Sequence, residues 1–397
     1  MIDAAQRLRD AAGALATTWI DPPVLQPAGL YLELAGEDIR ARAFMLAGDD
    51  DAALCLRPDM TAPAVREALK RNDWSAPFGL AYDGLVFRRQ NIQAQDIQAQ
   101  NIQAQNIQVL GDSAKESEFR QIGAEVFAPL TDIAAREADI AIAALDACRA
   151  VGVQPRMRLG DVAVFEAVVH ACALPEPWTR RLKRAFSRPG GLATVLREAA
   201  APPAPEESIL GEALAALPDE RAEAVVEELL ADARIVLVGG RTVAEIAARL
   251  REKGRAMHAP RAEAAALALI AEATAIEAAP GAALAQLREI AARPSAKNPA
   301  ALLAALDRAS ARWDAVRRAD APDATFSAGF GRGLAYYDGF VFELEAPQLG
   351  ARASLGGGGR YDGLLQSITS SQNNRPPAAW GAAGFAMRPA RVAEAAR

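Results

Sequence analysis

The sequence predicts an α+β fold in which an antiparallel sheet is flanked by helices and interrupted by a long helical insertion. Alanine supplies much of the 51% hydrophobic fraction and aromatic residues make up only 6%, which favours a helix-rich protein over an all-β one. Apolar residues alternate at 79–88 and 119–127, as is typical of paired antiparallel strands. Between about 175 and 320 the pattern is almost continuously helical.

The N-terminal part begins with a helix and reaches a strand–helix junction. Residues 2–18 have Ala, Leu and Ile at helical spacing. Over 53–68 a strand ends at Arg57-Pro58 and a helix begins near Asp59 or Thr61. Polar side chains at such a junction often face a cleft.

A low-complexity repeat separates the two paired strands. Residues 91–110 contain four copies of a five-residue unit, NIQAQDIQAQNIQAQNIQVL. A period of five matches neither the helical turn of about 3.6 residues nor the strand period of about two. We expect a mobile, elongated loop that is a tolerated insertion, and the alternative is a partner-binding arm. No Lys or Arg occurs from 91 to 113, so the loop is poorly equipped to hold a triphosphate or an RNA backbone.

The middle of the chain continues with alternating elements and then changes in composition. We expect a helix over 132–151 and a short strand over 156–159 that runs into Asp161, a good N-cap residue for the next helix. The helical pattern that follows predicts three parts, which are residues 1–174 as the first part of a core, 175–320 as a helical insertion domain, and 321–397 as the second part of the core.

Residues 234–250 of the insertion resemble a nucleotide-binding strand, glycine turn and helix. They lack the G-x-G-x-x-G pattern, whereas Thr242 and Glu245 have the spacing of a helix capping box. A structural turn is therefore the better interpretation.

The stretch 327–345 carries the strongest signal for a binding site. Two runs rich in Tyr, Phe and Val flank Asp338-Gly339, a dipeptide that favours tight hairpin turns. We expect a hairpin that carries Arg332, Tyr336 and Tyr337 into a partly buried site. The alternative is an ordinary antiparallel sheet without a ligand.

A glycine-rich turn is expected to follow. Four consecutive glycines at 356–359 have no Cβ to block a ligand or a neighbouring backbone, and they place Arg360 and Tyr361 beside the opening. An arginine fork and tyrosine hydroxyls near bare backbone suit a small ligand with a carboxylate and a polar side chain.

Composition and charge exclude several classes of protein. The net charge of −6 disfavours a phosphate-gripping nucleic-acid binder. Three scattered cysteines and two histidines provide neither a disulfide framework nor a Cys/His metal site, so we expect no metal and a reducing, cytoplasmic location. The charged N-terminus and the lack of any run of about 18 apolar residues predict neither secretion nor a membrane span. No cofactor is expected.

Six segments, in this order, resemble the catalytic core of histidyl-tRNA synthetase, a class II aminoacyl-tRNA synthetase. They are LRPDMTAP at 56–63, FR at 87–88, FRQIGAE at 119–125, RGLAYYDGFVFE at 332–343, GGRYDGL at 358–364 and GFAMRPAR at 384–391. The resemblance covers most of the chain outside 175–320. It implies a class II synthetase-like antiparallel sheet flanked by helices and a histidine pocket formed by Asp59, Thr61, Arg88, Gln121, Glu125, Arg332, Tyr337 and Tyr361.

The residue types of this implied pocket suit histidine. Glu125 and Asp59 can accept from an α-ammonium or an imidazole N–H, and Gln121 can accept from the ammonium. Arg88 can face the carboxylate. The tyrosines offer hydroxyls and flat apolar faces to an imidazole.

Several departures from the synthetase pattern concern ATP and tRNA. Arg89-Gln90 replaces the family's Tyr-Glu, Ala335 stands where an acid is expected, and Arg388 and Ala390 replace a glycine and a glutamate. The loop that would clasp ATP is the uncharged repeat, and the chain is expected to lack an anticodon-binding domain after the last motif. A chain that keeps the histidine pocket but lacks the nucleotide-binding residues resembles the regulatory subunits of ATP phosphoribosyltransferase, a family of synthetase paralogues.

This resemblance implies a non-catalytic subunit in histidine biosynthesis, with no catalytic residues of its own. It would bind histidine as an allosteric effector and assemble with the short-form ATP phosphoribosyltransferase catalytic subunit as a hetero-octamer, activating it. No nucleic acid or membrane partner is expected. The alternatives are a truncated histidyl-tRNA synthetase or histidine-adenylating enzyme, for which Arg88, Arg332 and Arg391 keep three cations, and a decayed copy with only an assembly role.

Overall fold

The computed structural model of the protein describes most of the chain. The described residues are 3–29, 31, 42–46, 54–71, 73–89, 117–186, 190–200, 209–233, 235, 242–258, 261–317, 324–332, 335–350, 353–368 and 376–397.

The described strands form one large and one small sheet. They are β1 Thr18–Ile20, β2 Leu25–Pro27, β3 Phe44–Leu46, β4 Leu54–Leu56, β5 Phe78–Phe87, β6 Glu118–Pro129, β7 Arg156–Asp161, β8 Glu277–Ala278, β9 Ala324–Ser327, β10 Phe340–Glu345, β11 Ser354–Arg360 and β12 Trp380–Met387. The large sheet has the order β1-β5-β6-β12-β11-β10-β7-β9-β8, and the small one β2-β4-β3. The run from β5 to β7 is antiparallel throughout, whereas β1 joins β5 and β9 joins β7 in parallel.

The described helices cover both halves of the chain. They are α1 Ala4–Leu15, α2 Thr61–Ala68, α3 Leu130–Arg149, α4 Val162–Ala171, α5 Glu176–Phe186, α6 Gly191–Ala200, α7 Ile209–Ala215, α8 Asp219–Asp232, α9 Val243–His258, α10 Ala264–Ala275, α11 Pro280–Ala291, α12 Ala300–Arg317, α13 Asp362–Ser367 and α14 Pro389–Ala395.

The two faces of the large sheet have different roles. Successive side chains of β6 point to opposite faces, so Ile122 and Ala124 enter the main core that includes Leu8 of α1 and Ile140 of α3. Gln121 and Glu125 point to the other face, where they are buried without belonging to that core. This second face carries the candidate site.

The four glycines at 356–359 form part of a central strand, so the expected glycine-rich turn is wrong. They lie within β11, which pairs with β10 on one side and β12 on the other. A Cβ on Gly358 would come within 2.0 Å of the Gly384 carbonyl oxygen, and one on Gly359 within 2.3 Å of the Phe340 carbonyl oxygen. The neighbouring backbones therefore approach too closely for any side chain at these positions.

The expected hairpin around Asp338-Gly339 is also wrong. β9 pairs with β7 and β8, whereas β10 pairs with β7 and β11. The two runs therefore lie on either side of β7 and do not pair with each other. The hairpin in this region joins β10 to β11 after Glu345. Arg332, Tyr336 and Tyr337 lie in the connection between β9 and β10, which crosses the site-bearing face.

Several local predictions are confirmed. β5 and β6 pair antiparallel with Leu80 opposite Glu125. β4 is followed by α2 as expected for 53–68. Asp161 caps α4 by accepting from the backbone N–H groups of Ala163 at 2.8 Å and Val164 at 3.3 Å. The repeat at 91–110 lies outside the described residues.

The segment 175–320 packs in two ways. Helices α7, α8 and α9 share a small cluster that contains Leu214, Val226 and Ala247. Helices α10, α11 and α12 contribute to the same main core as α3 and α4, and β8 pairs with β9 of the large sheet. The division of the chain at 174 and 320 stays a prediction.

The capping box at the start of α9 is confirmed. The Thr242 N–H donates to the Glu245 carboxylate at 2.9 Å, and the Glu245 N–H donates to Thr242 Oγ1 at 3.2 Å. Among the helices in the described ranges, none is both long and apolar enough to cross a bilayer.

The close approach of β11 and β12 predicts the effect of a single methyl group. Gly358→Ala should destabilise the fold by about 3 kcal/mol or more, because the new Cβ meets backbone atoms that cannot move independently. Gly281→Ala in the first turn of α11 is the matched control, since nothing lies within 4 Å of its Cβ position. We expect the control to change the free energy of unfolding by less than about 1 kcal/mol in urea titrations. Equal stability of the two variants would contradict the close packing of β11.

Candidate functional site

A buried carboxylate forms the centre of the site. Glu125 is 1% exposed. Its Oε1 accepts from the hydroxyls of Thr61 and Tyr82, each at 2.8 Å, and its Oε2 accepts from the Tyr361 hydroxyl at 2.5 Å. Burial raises the pKa of Glu125 to about 7, although the three hydroxyl donors favour the ionised form and act in the opposite direction. The carboxyl group therefore titrates near neutral pH.

Bare glycine backbone makes room for this arrangement. A Cβ on Gly384 would lie 1.5 Å from Glu125 Oε2, and one on Gly357 would lie 1.9 Å from Arg332 Nη1. Gly384 and Gly357 belong to the adjacent strands β12 and β11 and face the same side as Glu125. The Glu125 carboxylate and the Arg332 guanidinium therefore lie directly against the backbone of β12 and β11, at positions where a Cβ would clash with them.

The connection between β9 and β10 covers the glycines with one cation and two aromatic rings. Arg332 donates from Nη1 to the Phe342 carbonyl oxygen at 2.9 Å, and its Cζ lies 5.9 Å from the Tyr337 ring centroid. The Tyr336 ring lies 4.8 Å from that of Tyr337 and 5.9 Å from that of Tyr361. Tyr337 and Tyr361 approach edge to face at 6.3 Å. These rings form an aromatic wall with hydroxyl groups.

The strand–helix junction supplies a second buried carboxylate. Asp59 Oδ1 accepts from the Ala62 N–H at 3.2 Å, near the start of α2, and the Tyr336 hydroxyl lies 3.5 Å from Oδ2. Arg88 donates from Nε to the Pro58 carbonyl oxygen at 2.6 Å. Burial raises the pKa of Asp59 and lowers that of Arg88, and the charge of each opposes the effect of burial on the other. The two groups thus influence each other as opposite charges, with Asp59 buried and Arg88 partly exposed.

The side-chain oxygen of Gln121 is a hydrogen-bond acceptor to which no described group donates. The side chain is 6% exposed, and within the described part of the chain its Oε1 has no hydrogen-bond partner. It lies on the same face of β6 as Glu125. A buried oxygen without a donor is costly, so this atom suits a ligand that brings an N–H group.

A cationic group borders the pocket at the end of β12. The Arg388 Cζ lies 4.1 Å from the centroid of the Phe119 ring, and the Arg88 Cζ lies 5.4 Å from the same centroid. No acidic side chain in the described ranges forms an ion pair with Arg388. Burial, followed by the charges of Arg88 and Arg391, lowers the pKa of Arg388 to about 10. The face of Phe119 is thus occupied by a guanidinium.

The structure brings the eight predicted pocket residues to one side of the sheet. Thr61, Glu125 and Tyr361 are in direct contact, Asp59 and Arg88 lie at the adjacent junction, and Gln121, Arg332 and Tyr337 line the same face. Sequence reasoning missed Tyr82, which donates to Glu125. Its alternate spacing with Leu80 in β5 was the available signal.

Arg360 does not reach this site, contrary to expectation. It points to the opposite face, where Nη1 lies 3.4 Å from Glu137 of α3 and Nε lies 2.7 Å from Asp362. The reason is strand alternation, since Gly357, Gly359 and Tyr361 occupy the site side of β11.

Comparison with known proteins identifies the family. The sequence profile of the histidyl-tRNA synthetase family matches residues 3–269 and 224–392. An ATP phosphoribosyltransferase regulatory subunit from Brucella anthropi is 34% identical over 362 residues, which cover 89% of this chain and 88% of the relative. One from Sinorhizobium fredii is 34% identical over 374 residues, which cover 90% and 89%. The chain belongs to the ATP phosphoribosyltransferase regulatory subunit family.

Solved structures show the same fold. A Bacillus halodurans protein described as an ATP phosphoribosyltransferase regulatory subunit/histidyl-tRNA synthetase has a TM-score of 0.62 at 19% identity, over 100% of this chain and 78% of its own. Histidyl-tRNA synthetase from Nostoc sp. PCC 7120 has a TM-score of 0.55 at 16% identity, over 98% and 70%. The predicted synthetase-like α+β fold is confirmed, and this member of the family is a regulatory rather than a catalytic chain.

The unpaired arginine at the pocket border predicts an unusual effect on stability. Arg388→Met should leave the Tm unchanged or raise it by roughly 1–3 °C, because it removes a partly buried charge from among like charges and keeps an apolar contact with Phe119. Differential scanning calorimetry would measure the shift. Arg293→Met is the control, since Arg293 is exposed and paired with Glu272 at 2.6 Å. A Tm that falls by several degrees in Arg388→Met but not in Arg293→Met would contradict the view that like charges surround Arg388.

Proposed function

We propose that this regulatory subunit binds histidine on the site-bearing face of the sheet, beside β6, and that the bound amino acid regulates an ATP phosphoribosyltransferase catalytic subunit. The observation that carries the proposal is the pair of acceptors on β6, the Glu125 carboxylate and the unpaired Oε1 of Gln121. These residues are four apart on one strand, a span of roughly 13 Å. Such a span suits a small ligand with a nitrogen donor at each end.

Each polar group of histidine has a matching group at the site. Its α-ammonium would donate to Gln121 Oε1 and its carboxylate would face Arg88, which lies toward the same end of the β5–β6 pair. The imidazole would lie against the aromatic wall that includes Tyr337 and Tyr361, with one N–H donating to Glu125. Asp59 adds negative charge and Arg332 adds positive charge along the ligand, and Thr61 orients the Glu125 carboxylate. This complementarity of donors, acceptors and charges supports histidine over an apolar amino acid.

The partner in this proposal is the short-form catalytic subunit of ATP phosphoribosyltransferase, in histidine biosynthesis in the cytoplasm. The support comes from the names of the relatives, which designate regulatory subunits of that enzyme. We propose a hetero-octamer in which this chain activates the catalytic subunit and histidine reverses the activation. Linkage then requires the catalytic subunit to change the affinity for histidine by the same factor that histidine changes the affinity for the catalytic subunit.

One observation favours a second candidate, a truncated histidyl-tRNA synthetase or histidine-adenylating enzyme. Arg88, Arg332 and Arg391 remain as cations near the pocket, and in the described ranges Arg391 pairs only with the exposed Glu394 at 3.6 Å. Against this candidate, Arg388 covers the Phe119 ring. Histidine-dependent exchange of pyrophosphate into ATP separates the two, since the regulatory proposal predicts no exchange above that of a protein-free control.

Isothermal titration calorimetry with histidine tests the pocket. The wild-type protein should bind histidine, and Tyr361→Phe should weaken binding by about 5- to 10-fold, as expected for one lost hydrogen bond beside a buried carboxylate. Arg332→Ala should weaken it at least as much without unfolding the protein. Arg293→Ala, at an exposed ion pair, is the control and should bind like the wild type. Absence of histidine binding, with and without the catalytic subunit, would overturn the proposal.

An assay of the catalytic subunit tests regulation. Adding this chain should raise the activity, and histidine should lower it again with a midpoint that follows the Kd. Tyr361→Phe should shift that midpoint to higher histidine concentration. Assembly with unchanged activity and no response to histidine would support a purely architectural role instead.

The raised pKa of Glu125 predicts proton release on binding. Its pKa is about 7 in the folded protein against 4.5 in the unfolded one, so the folded state favours the neutral form. The free energy of unfolding therefore falls, through this group, as the pH rises from about 4.5 to about 7. The imidazole N–H favours the ionised carboxylate, so histidine should expel the proton and bind more tightly as the pH approaches 7.

Calorimetry at pH 6.5 in buffers of different ionisation enthalpy measures this release. Free histidine also titrates near pH 6.5, so Glu125→Gln serves as the comparison that isolates the carboxyl group. We expect the variant to bind more weakly and to release fewer protons than the wild type. Unchanged affinity or equal proton release in Glu125→Gln would show that this carboxylate does not contact the ligand.

A further inference from the structure

A buried ion network lies on the opposite side of the sheet from the proposed pocket. Arg312 of α12 donates from Nε to Glu137 Oε2 of α3 and from Nη1 to Asp161 Oδ2 at 2.6 Å. The side chains of Arg312, Glu137 and Asp161 are 10%, 0% and 3% exposed. One guanidinium therefore joins α12, α3 and the N-terminus of α4 in a site closed to water.

The network continues through Glu137 into β11. The other oxygen of Glu137 lies 3.4 Å from Arg360 Nη1, so one carboxylate is shared by two arginines. Arg360 also donates from Nε to Asp362 Oδ2 at 2.7 Å. Arg360 and Asp362 are the neighbours of Tyr361 in the chain. The segment that carries this pocket tyrosine is thus held from both sides by the ion network.

Asp338 links the second pocket tyrosine to the same segment. Its carboxylate accepts from the backbone N–H groups of Asp362 at 3.2 Å and Gly363 at 2.5 Å, and its own N–H donates to the Arg360 carbonyl oxygen at 3.1 Å. Asp338 directly follows Tyr337. Backbone contacts of Asp338 therefore join the residue after Tyr337 to the segment that carries Tyr361.

We propose that Arg312 is a positioning residue for the histidine pocket, which acts through Glu137 and Arg360 to fix the Tyr361 hydroxyl on Glu125. This inference rests on the proposed function, since it names a residue far from the ligand that sets the affinity for it. Arg312 belongs to α12, so movement of that helix and occupancy of the pocket are coupled. Helix α12 is the last helix of the segment 175–320.

The energetics of buried ions support positioning over simple stabilisation. Removing ions from water costs free energy that their mutual attraction often fails to repay, and a well-packed apolar group would stabilise the fold at least as well. An apolar group would not, however, fix the orientation of the elements that it contacts. Arg312 reaches two carboxylates in fixed planar geometry, and each carboxylate is in turn fixed to another element. The network therefore specifies one arrangement of α12, α3 and β11.

The test variant is Arg312→Lys, which keeps the charge but loses the planar fork. We expect histidine binding, measured by calorimetry well below the Tm, to weaken by about fivefold or more. In the Tyr361→Phe background the same change should weaken binding by less than about twofold, because the hydroxyl through which Arg312 acts is already absent. The control is Arg288→Lys, at an exposed pair between α11 and α12 in which Arg288 lies 2.7 Å from Asp307, and it should not alter binding.

A second measurement follows the segment itself. The Tyr361 N–H donates to the Ala382 carbonyl oxygen at 2.9 Å, and the Ala382 N–H donates to Asp362 Oδ1 at 2.9 Å. Hydrogen–deuterium exchange at these two amides should be faster in Arg312→Lys than in Arg288→Lys. Should Arg312→Lys fail to fold, Glu137→Gln enters the same cycle in its place, with the same expected results.

The outcomes separate this inference from the function on which it rests. A wild-type protein that binds no histidine overturns both. Normal binding by Arg312→Lys, or equal weakening with and without the Tyr361 hydroxyl, overturns the positioning role alone. A non-additive loss with faster exchange at Tyr361 and Ala382 supports it.

Discussion

The burial of the Glu125 carboxylate against the bare backbone of Gly384 is the constraint on which the rest of the site depends. A carboxylate that is 1% exposed needs donors on both oxygens, and it receives three hydroxyls from three separate parts of the chain. Gly384 leaves the space that the Glu125 carboxylate occupies, and Gly357 leaves the space for the Arg332 guanidinium. The composition of β11 and β12 thus follows from the space that the charged and aromatic side chains above them occupy.

The sequence predicts the local parts of this arrangement better than the long-range ones. The pairing of β5 with β6 and the Asp161 cap follow from alternation and capping chemistry within short windows. The glycines of β11 lack the alternation of apolar and polar side chains that is typical of a strand, so they suggest a turn. Only the close approach of the neighbouring strands explains why glycine is needed there. Asp338-Gly339 suggests a hairpin, but β9 pairs with distant β7. The motif resemblance selected eight residues that the structure brings to one face of the sheet. Tyr82 belongs to none of those motifs, and its alternation with Leu80 gave only a weak signal for its contact with Glu125.

The departures from the synthetase pattern agree with the regulatory role that the relatives' names designate. Arg388 lies against Phe119 at the border of the pocket, among other cations. The pocket itself retains its acceptors and aromatic wall. Behind the sheet, Arg312 and Glu137 connect α12 to Arg360 of β11, and in our proposal this network links the effector site to α12. An effector site with such a link can act on a partner without chemistry of its own.

The position of histidine in a crystal of the protein grown with the amino acid tests the central claim most directly. The account predicts electron density beside β6 between Gln121 and Glu125, with an imidazole nitrogen within hydrogen-bond distance of Glu125 and the ring against Tyr337 and Tyr361. Histidine bound elsewhere on the molecule, with the Glu125 hydroxyl contacts unchanged and Gln121 Oε1 still unpaired, would contradict it.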